Sequence, residues 1–168
     1  MDKNITLIGM PGAGKSTVGI VLAKVLGYDF IDSDLLIQKS EGMLLWQIME
    51  AVGADGFRAV EDHVNSSIDT TRSVIATGGS VVYCENAMEH LRSISTVVYL
   101  KAGCPALKRR LGNLTKRGVV FRPGQTLEDL YAERAPLYEK YADITINVGS
   151  KTVRQSVTLI ANAVQSGL

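Results

Sequence analysis

Cysteine is scarce in this chain: Cys84 and Cys104 are the only two among 168 residues. Their separation matches no metal-binding spacing, and two thiols make no disulfide framework. The expectation is two free thiols in a reducing compartment. Neither sign of charge is in surplus, since 18 Lys and Arg face 17 Asp and Glu, a formal net charge of +1. A general nucleic-acid or membrane-surface binder would carry a basic excess, so both partner classes are set aside, while local basic clusters stay open. No apolar run approaches the roughly 20 residues of a membrane span, and the opening MDKNITLIGM turns polar too soon for a secretory signal. Repeats, low-complexity tracts and linkers are also missing, which leaves a single domain over residues 1–168. With 46% hydrophobic and 21% charged residues, the chain has the makings of a folded core, and a cytoplasmic protein is expected.

What is present alternates. Short apolar runs at 5–9, 28–32, 73–77, 95–100 and 143–148 read as strands, several of them rich in β-branched residues. Amphipathic stretches lie between most of them. Val18, Val21, Leu22, Val25 and Leu26 share one helical face, with Gly27 placed to stop it. A helix is expected from about Leu35 to Ser40, then a longer helical region through Val64 that Gly53 breaks in two. Further helices are expected from Pro105 to about Leu111, from about Leu127 to Tyr141, and over the stripe Val153, Val157, Ile160, Ala161 and Val164. Strands alternating with helices imply parallel pairing and a helix-covered α/β sheet.

GMPGAGKS, Gly9 to Ser16, fits G-x-x-x-x-G-K-[ST] at each defining position, after a strand and before an amphipathic helix. Its glycines let backbone amides approach anionic oxygens, and the helix adds the positive end of its dipole. Lys15 supplies a cation for β- and γ-phosphates, and the Ser16 hydroxyl is placed to ligate Mg²⁺. The loop implies a nucleoside triphosphate but not the fate of its γ-phosphoryl group.

Three features address the acceptor. Asp32 and Asp34 in DSD follow the second strand, so both carboxylates are expected in the cleft at the strand ends, pointing the same way if the segment stays extended. The plainer reading is two turn or N-cap aspartates. In GFRAVE, Arg58 and Glu61 are spaced to pair on a helix, either to fix a guanidinium for a carboxylate or as a solvated surface pair. In VIATGGS, Gly78 and Gly79 either let a ligand approach the backbone or make a tight turn.

In this order along the chain, GMPGAGKS, FIDSD, GFRAVE, VIATGGS, KRGVV and ERAPLYEKYAD resemble the motifs of the shikimate kinase family over about residues 5–148. The resemblance implies a three-layer α/β/α P-loop kinase fold with a five-stranded parallel sheet and a mobile lid near 112–125. It implies that ATP phosphorylates the 3-hydroxyl of shikimate, giving shikimate 3-phosphate and ADP. By the same resemblance Gly12, Ala13, Gly14, Lys15, Ser16 and Thr17 would hold the nucleotide phosphates, with Arg110 against adenine. Ser16 and Asp32 would serve Mg²⁺. Asp34 would hold the acceptor hydroxyl and take its proton. Arg58 and Arg134 would grip the carboxylate, Glu61 would brace Arg58, and Gly78 and Gly79 would close the pocket floor. Lys15, Asp34 and the lid arginine Arg117 would form the catalytic set, and a monomer whose partners are ATP and a small-molecule acceptor is expected.

The chain departs from the family pattern at three places. Ser80 stands for the third glycine of ATGGG, Arg117-Gly118-Val119-Val120 for RPLL, and Ala54 where a glutamate is common. Ser80 is expected to add a hydroxyl beside the acceptor ring, and Gly118 to loosen the lid, with Arg122 either a second lid cation or solvated. Other readings are a kinase for another small hydroxy-carboxylic acid or polyol, or a non-catalytic nucleotide-binding module.

Overall fold

The structure is a computed structural model that describes residues 3–111 and 122–166. Strand β1 (Asn4–Ile8) lies in the middle of a sheet ordered β2-β3-β1-β4-β5, and all four pairings are parallel. The others are β2 (Asp29–Asp32), β3 (Ser73–Ala76), β4 (Ser95–Lys101) and β5 (Ile144–Asn147). Each expected strand is present to within one residue at either end. β1 and β3 are buried throughout, as befits a parallel sheet covered on both faces.

Among the described residues, seven helices complete the three layers: α1 (Lys15–Leu26), α2 (Ser33–Glu41), α3 (Leu45–Ser66), α4 (Glu85–Ile94), α5 (Cys104–Leu111), α6 (Leu127–Tyr141) and α7 (Val153–Gln165). Gly27 ends α1 in the left-handed conformation, its N–H bonded to the Ala23 carbonyl. Gly53 interrupts α3 with a non-helical φ of 70° and ψ of −178°, the break its sequence position suggested. Thr126 and Asp129 cap the start of α6 reciprocally.

Two expectations are corrected. Helix α2 begins at Ser33 rather than Leu35, because the Asp32 side chain accepts the Asp34 N–H and caps it. Helix α4 was not foreseen: its buried face is only Ala87, Met88 and Leu91 in a charged stretch, and its start is capped not by the N-cap residue Cys84 but by Asp62 of α3, whose Oδ1 accepts the Ala87 N–H at 2.8 Å. A single 3₁₀ turn over Val81–Tyr83 precedes it. Among the described residues, no helix is long and apolar enough to cross a membrane.

The chain leaves β1 for β2 on one side and later crosses to β4 on the other, which opens a crevice at the carboxyl ends of the central strands. α2 and α3 share a small separate core of Ile37, Ile48 and Phe57, so they flank that crevice as a unit. At the opposite, amino end, buried Asn4 holds three segments together. Its amide donates to the Thr70 and Ile94 carbonyls at 2.8 and 3.1 Å, and its oxygen accepts the Ser73 N–H at 2.9 Å. Asn4→Ala strands these buried groups and is expected to cost about 3 kcal/mol in urea unfolding, with the active-site end of the sheet unchanged. A loss below about 0.5 kcal/mol would show that water replaces the amide there.

Candidate active site

β1 feeds the loop 9–14 directly onto the N-terminus of α1. Gly9 turns with φ of 147°, and a Cβ there would sit 2.7 Å from the Leu100 carbonyl oxygen, so no larger residue fits against β4. Gly14 caps α1 in the left-handed region, φ 97°, and leaves the first helical amides open to the cleft. Lys15 folds back over the loop, and its Nζ donates to the Gly9 and Met10 carbonyls at 2.7 and 3.0 Å. Burial lowers its pKa to about 8, against the opposing pull of Asp34. An ammonium group held this way gains strongly from an anionic oxygen. Ser16 Oγ donates to Asp32 Oδ2 at 2.7 Å, which joins the helix start to the end of β2. From α5, Arg110 donates to the Ala13 carbonyl at 3.2 Å and to the Val148 carbonyl at 2.6 Å, closing the far wall.

On the other side of the same cleft, of about 1010 Å³, Asp34 rises from the first turn of α2. Burial, reinforced by the Asp32 charge and offset by Lys15, holds its carboxyl above the usual aspartate range. Gly78 admits no side chain: a Cβ would lie 2.7 Å from Glu61 Oε1 and 3.0 Å from Asp34 Oδ1. Gly79 is pinned from α6, where Tyr138 donates to its carbonyl at 2.6 Å. One turn earlier on α6, Arg134 is buried and its Nε donates to the Tyr83 hydroxyl at 3.3 Å. Arg58 lies over the Tyr83 ring, 4.5 Å from its centroid. Among the described residues, neither arginine has an ion pair.

A phosphate loop, the Asp34 carboxyl group and two guanidinium groups without ion pairs among the described residues thus share one cavity. The sequence model of the family described as Shikimate kinase matches residues 11–165. The chain belongs to the shikimate kinase family. A shikimate kinase of Pasteurella multocida is 35% identical, covering 98% of this chain and 96% of its own. One from Francisella tularensis subsp. holarctica is 41% identical over 165 residues, covering 95% and 93%. The solved shikimate kinase from Acinetobacter baumannii in complex with shikimate superposes with a TM-score of 0.89 at 35% identity, covering 98% of this chain and 94% of that one. The family reaction is the transfer of a phosphoryl group from ATP to a shikimate hydroxyl, and this chain is a kinase of that kind.

Most shikimate kinase positions marked in the sequence line this cleft: residues 12–17 and Arg110 on one side, Asp34, Arg58, Gly78, Gly79 and Arg134 on the other. Asp32 meets it through Ser16. Arg117 and residues 112–121 of the expected lid lie outside the described residues. Three expectations change. Asp32 and Asp34 do not share an extended segment: the first ends β2 and caps α2, and the second is helical. Glu61 does not pair with Arg58. It is fully buried and its Oε2 accepts the Ser80 hydroxyl at 2.6 Å, while Arg58 lies over Tyr83. Ser80 therefore directs its hydroxyl to Glu61 instead of offering it to an acceptor ring.

Tyr83 and Glu133 were missed. The Tyr83 hydroxyl donates to Glu133 Oε1 at 2.5 Å, but nothing in VVYCEN marks the tyrosine. For Glu133 the only signal was its place beside Arg134.

Burial pushes the Glu61 carboxyl up to about 7, with the Ser80 hydrogen bond acting against it. A raised carboxyl pKa means that the folded state keeps a proton which the unfolded chain releases near pH 4.5, so stability falls as pH rises between those values. The unfolding free energy of the wild type relative to Glu61→Gln is expected to fall by about 3 kcal/mol from pH 4.5 to pH 8. A pH-independent difference in denaturant titrations would refute that titration.

Proposed function

We propose that this kinase phosphorylates the 3-hydroxyl of shikimate with Asp34 as the proton acceptor and Lys15 and Arg117 as the cations on the moving phosphoryl group. The observation that carries the reading is Asp34 itself: it lies beside Gly78 on the acceptor side and within the field of Lys15 on the phosphate side. In the reaction the acceptor oxygen bonds to the γ-phosphorus, the bond from that phosphorus to the β,γ-bridging oxygen breaks, and ADP leaves. The hydroxyl proton passes to a carboxylate oxygen of Asp34. Burial supports the assignment, because a base held above the ordinary aspartate range takes the proton more readily. Lys15 moves from backbone carbonyls to phosphate oxygens, while the amides at the start of α1 hold the chain of phosphates.

The Ser16 hydroxyl and the Asp32 carboxylate, 2.7 Å apart, form an oxygen-only pair that suits a hard cation held mainly through water and phosphate. Ser16 directly and Asp32 through water would hold Mg²⁺, which when bound neutralises charge on the phosphate oxygens. Arg58 and Arg134 hold the acceptor's carboxylate, the group guanidinium forks match best. Arg110 stacks on or beside adenine from its braced position at the Val148 wall. The groups assigned here all come from one chain, which supports a single-domain monomer as the working unit, and a cytoplasmic location is part of the same proposal.

Asp34→Asn is expected to lower kcat by more than about a thousandfold while nucleotide binding, followed by titration with ATP, stays within about twofold. A variant with wild-type turnover would end the role of Asp34 as base. Arg58→Ala is expected to raise the KM for shikimate about 30-fold, the equivalent of about 2 kcal/mol for a lost charged hydrogen bond, with the KM for ATP unchanged. An unchanged shikimate KM would end the carboxylate clamp.

A further inference from the structure

The two guanidinium groups of the proposed carboxylate clamp feel the charge of Glu61, yet among the described residues neither forms an ion pair that would hold it in place. Arg134 is only 6% exposed and has no ion pair among the described residues, an expensive position for a cation. What both arginines share is Tyr83. Arg58 lies 4.5 Å and Arg134 5.3 Å from the centroid of that ring, and Arg134 Nε also donates to the ring hydroxyl at 3.3 Å. The hydroxyl in turn donates to Glu133 Oε1 at 2.5 Å, and Glu133 Oε2 accepts from Arg122 Nη2 at 2.5 Å. The tyrosine is fixed at its polar end and presents its ring to two cations.

We infer that Tyr83 is a positioning residue for the acceptor clamp, holding Arg58 and Arg134 at the spacing that receives the substrate carboxylate. This rests on the reading of those arginines as the clamp. The physical case follows from what other braces would do. Left alone, two guanidinium groups facing one cavity repel and spread. A protein carboxylate between them would hold them, but it would occupy the donors that the substrate needs and compete with it. An aromatic ring is uncharged, attracts a cation through its quadrupole, and leaves the guanidinium edge free for hydrogen bonding. The substrate carboxylate then enters a preorganised site without first breaking an ion pair. The ring reaches this place because the 3₁₀ turn over Val81–Tyr83 follows directly on Gly79 and Ser80, so the same short segment forms the pocket floor and the brace.

The test compares the intact wild-type enzyme with Tyr83→Leu, Tyr83→Phe and Arg58→Ala, using shikimate and an analogue whose carboxylate is replaced by a carboxamide. Tyr83→Leu is expected to raise the KM for shikimate roughly tenfold, with kcat and the KM for ATP within about twofold. Tyr83→Phe keeps the ring and loses the hydroxyl, so a rise of about threefold is expected. Binding of the carboxamide should be equal in wild type and Tyr83→Leu, since the brace acts only through the carboxylate. An unchanged shikimate KM in Tyr83→Leu, with Arg58→Ala still impaired, overturns the role of Tyr83 and leaves the clamp standing. Equal weakening of shikimate and carboxamide overturns it as well, as the mark of general distortion. If Arg58→Ala itself does not discriminate the two ligands, the clamp reading falls first and the inference with it. Should Tyr83→Leu fold poorly, Tyr83→Phe with the carboxamide comparison decides the matter alone.

Discussion

One oxygen of Asp32 accepts the Ser16 hydroxyl and the other accepts the backbone amide of Asp34. These two bonds join the start of α1, the end of β2 and the start of α2. They fix the distance between the phosphate loop and the acceptor side, because Ser16 follows Lys15 and Asp34 heads α2. Phosphoryl transfer depends on holding two substrates in line more than on covalent chemistry by the protein. A single capping carboxylate supplies much of that alignment, and it does so at the carboxyl ends of strands whose register is set by buried apolar pairs such as Ile5 with Val74 and Leu7 with Val98.

The cleft gathers ionisable groups whose charged forms its burial opposes. Burial disfavours the charged forms of Lys15, Asp34 and Glu61 at once, and Arg134 is buried with no ion pair among the described residues. Each is a cost to the folded chain. Anionic substrates complement the cations, so the energy withheld from stability becomes available for binding. The glycines at 78 and 79 keep this crowding possible, since Glu61, Asp34, Pro11 and Arg134 already fill the space where side chains would go.

Much of this was legible in the sequence. The five strands, the phosphate loop and the glycine stops are local signals, and a local signal survives without knowledge of tertiary neighbours. Helix α4 was hidden because a three-residue apolar face in ENAMEHLRSI carries little periodicity. The fate of Glu61 was hidden for a different reason. Its helical spacing to Arg58 was plain, but its partner is Ser80, 19 positions away and brought near only by the β3 turn. Tyr83 had no motif at all: its value comes from Arg58 and Arg134, which reach it from α3 and α6.

Arg110 closes the far wall of the cleft by donating to the main-chain oxygens of Ala13 and Val148. Main-chain oxygens are present whatever the side chain. The wall is therefore written in one side chain and in the path of the backbone, not in a set of matched residues. Mutational drift at position 148 preserves the acceptor as long as the chain follows the same course and the core is filled. The chemical demand of these two bonds falls on the Arg110 guanidinium and not on the side chains at positions 13 and 148.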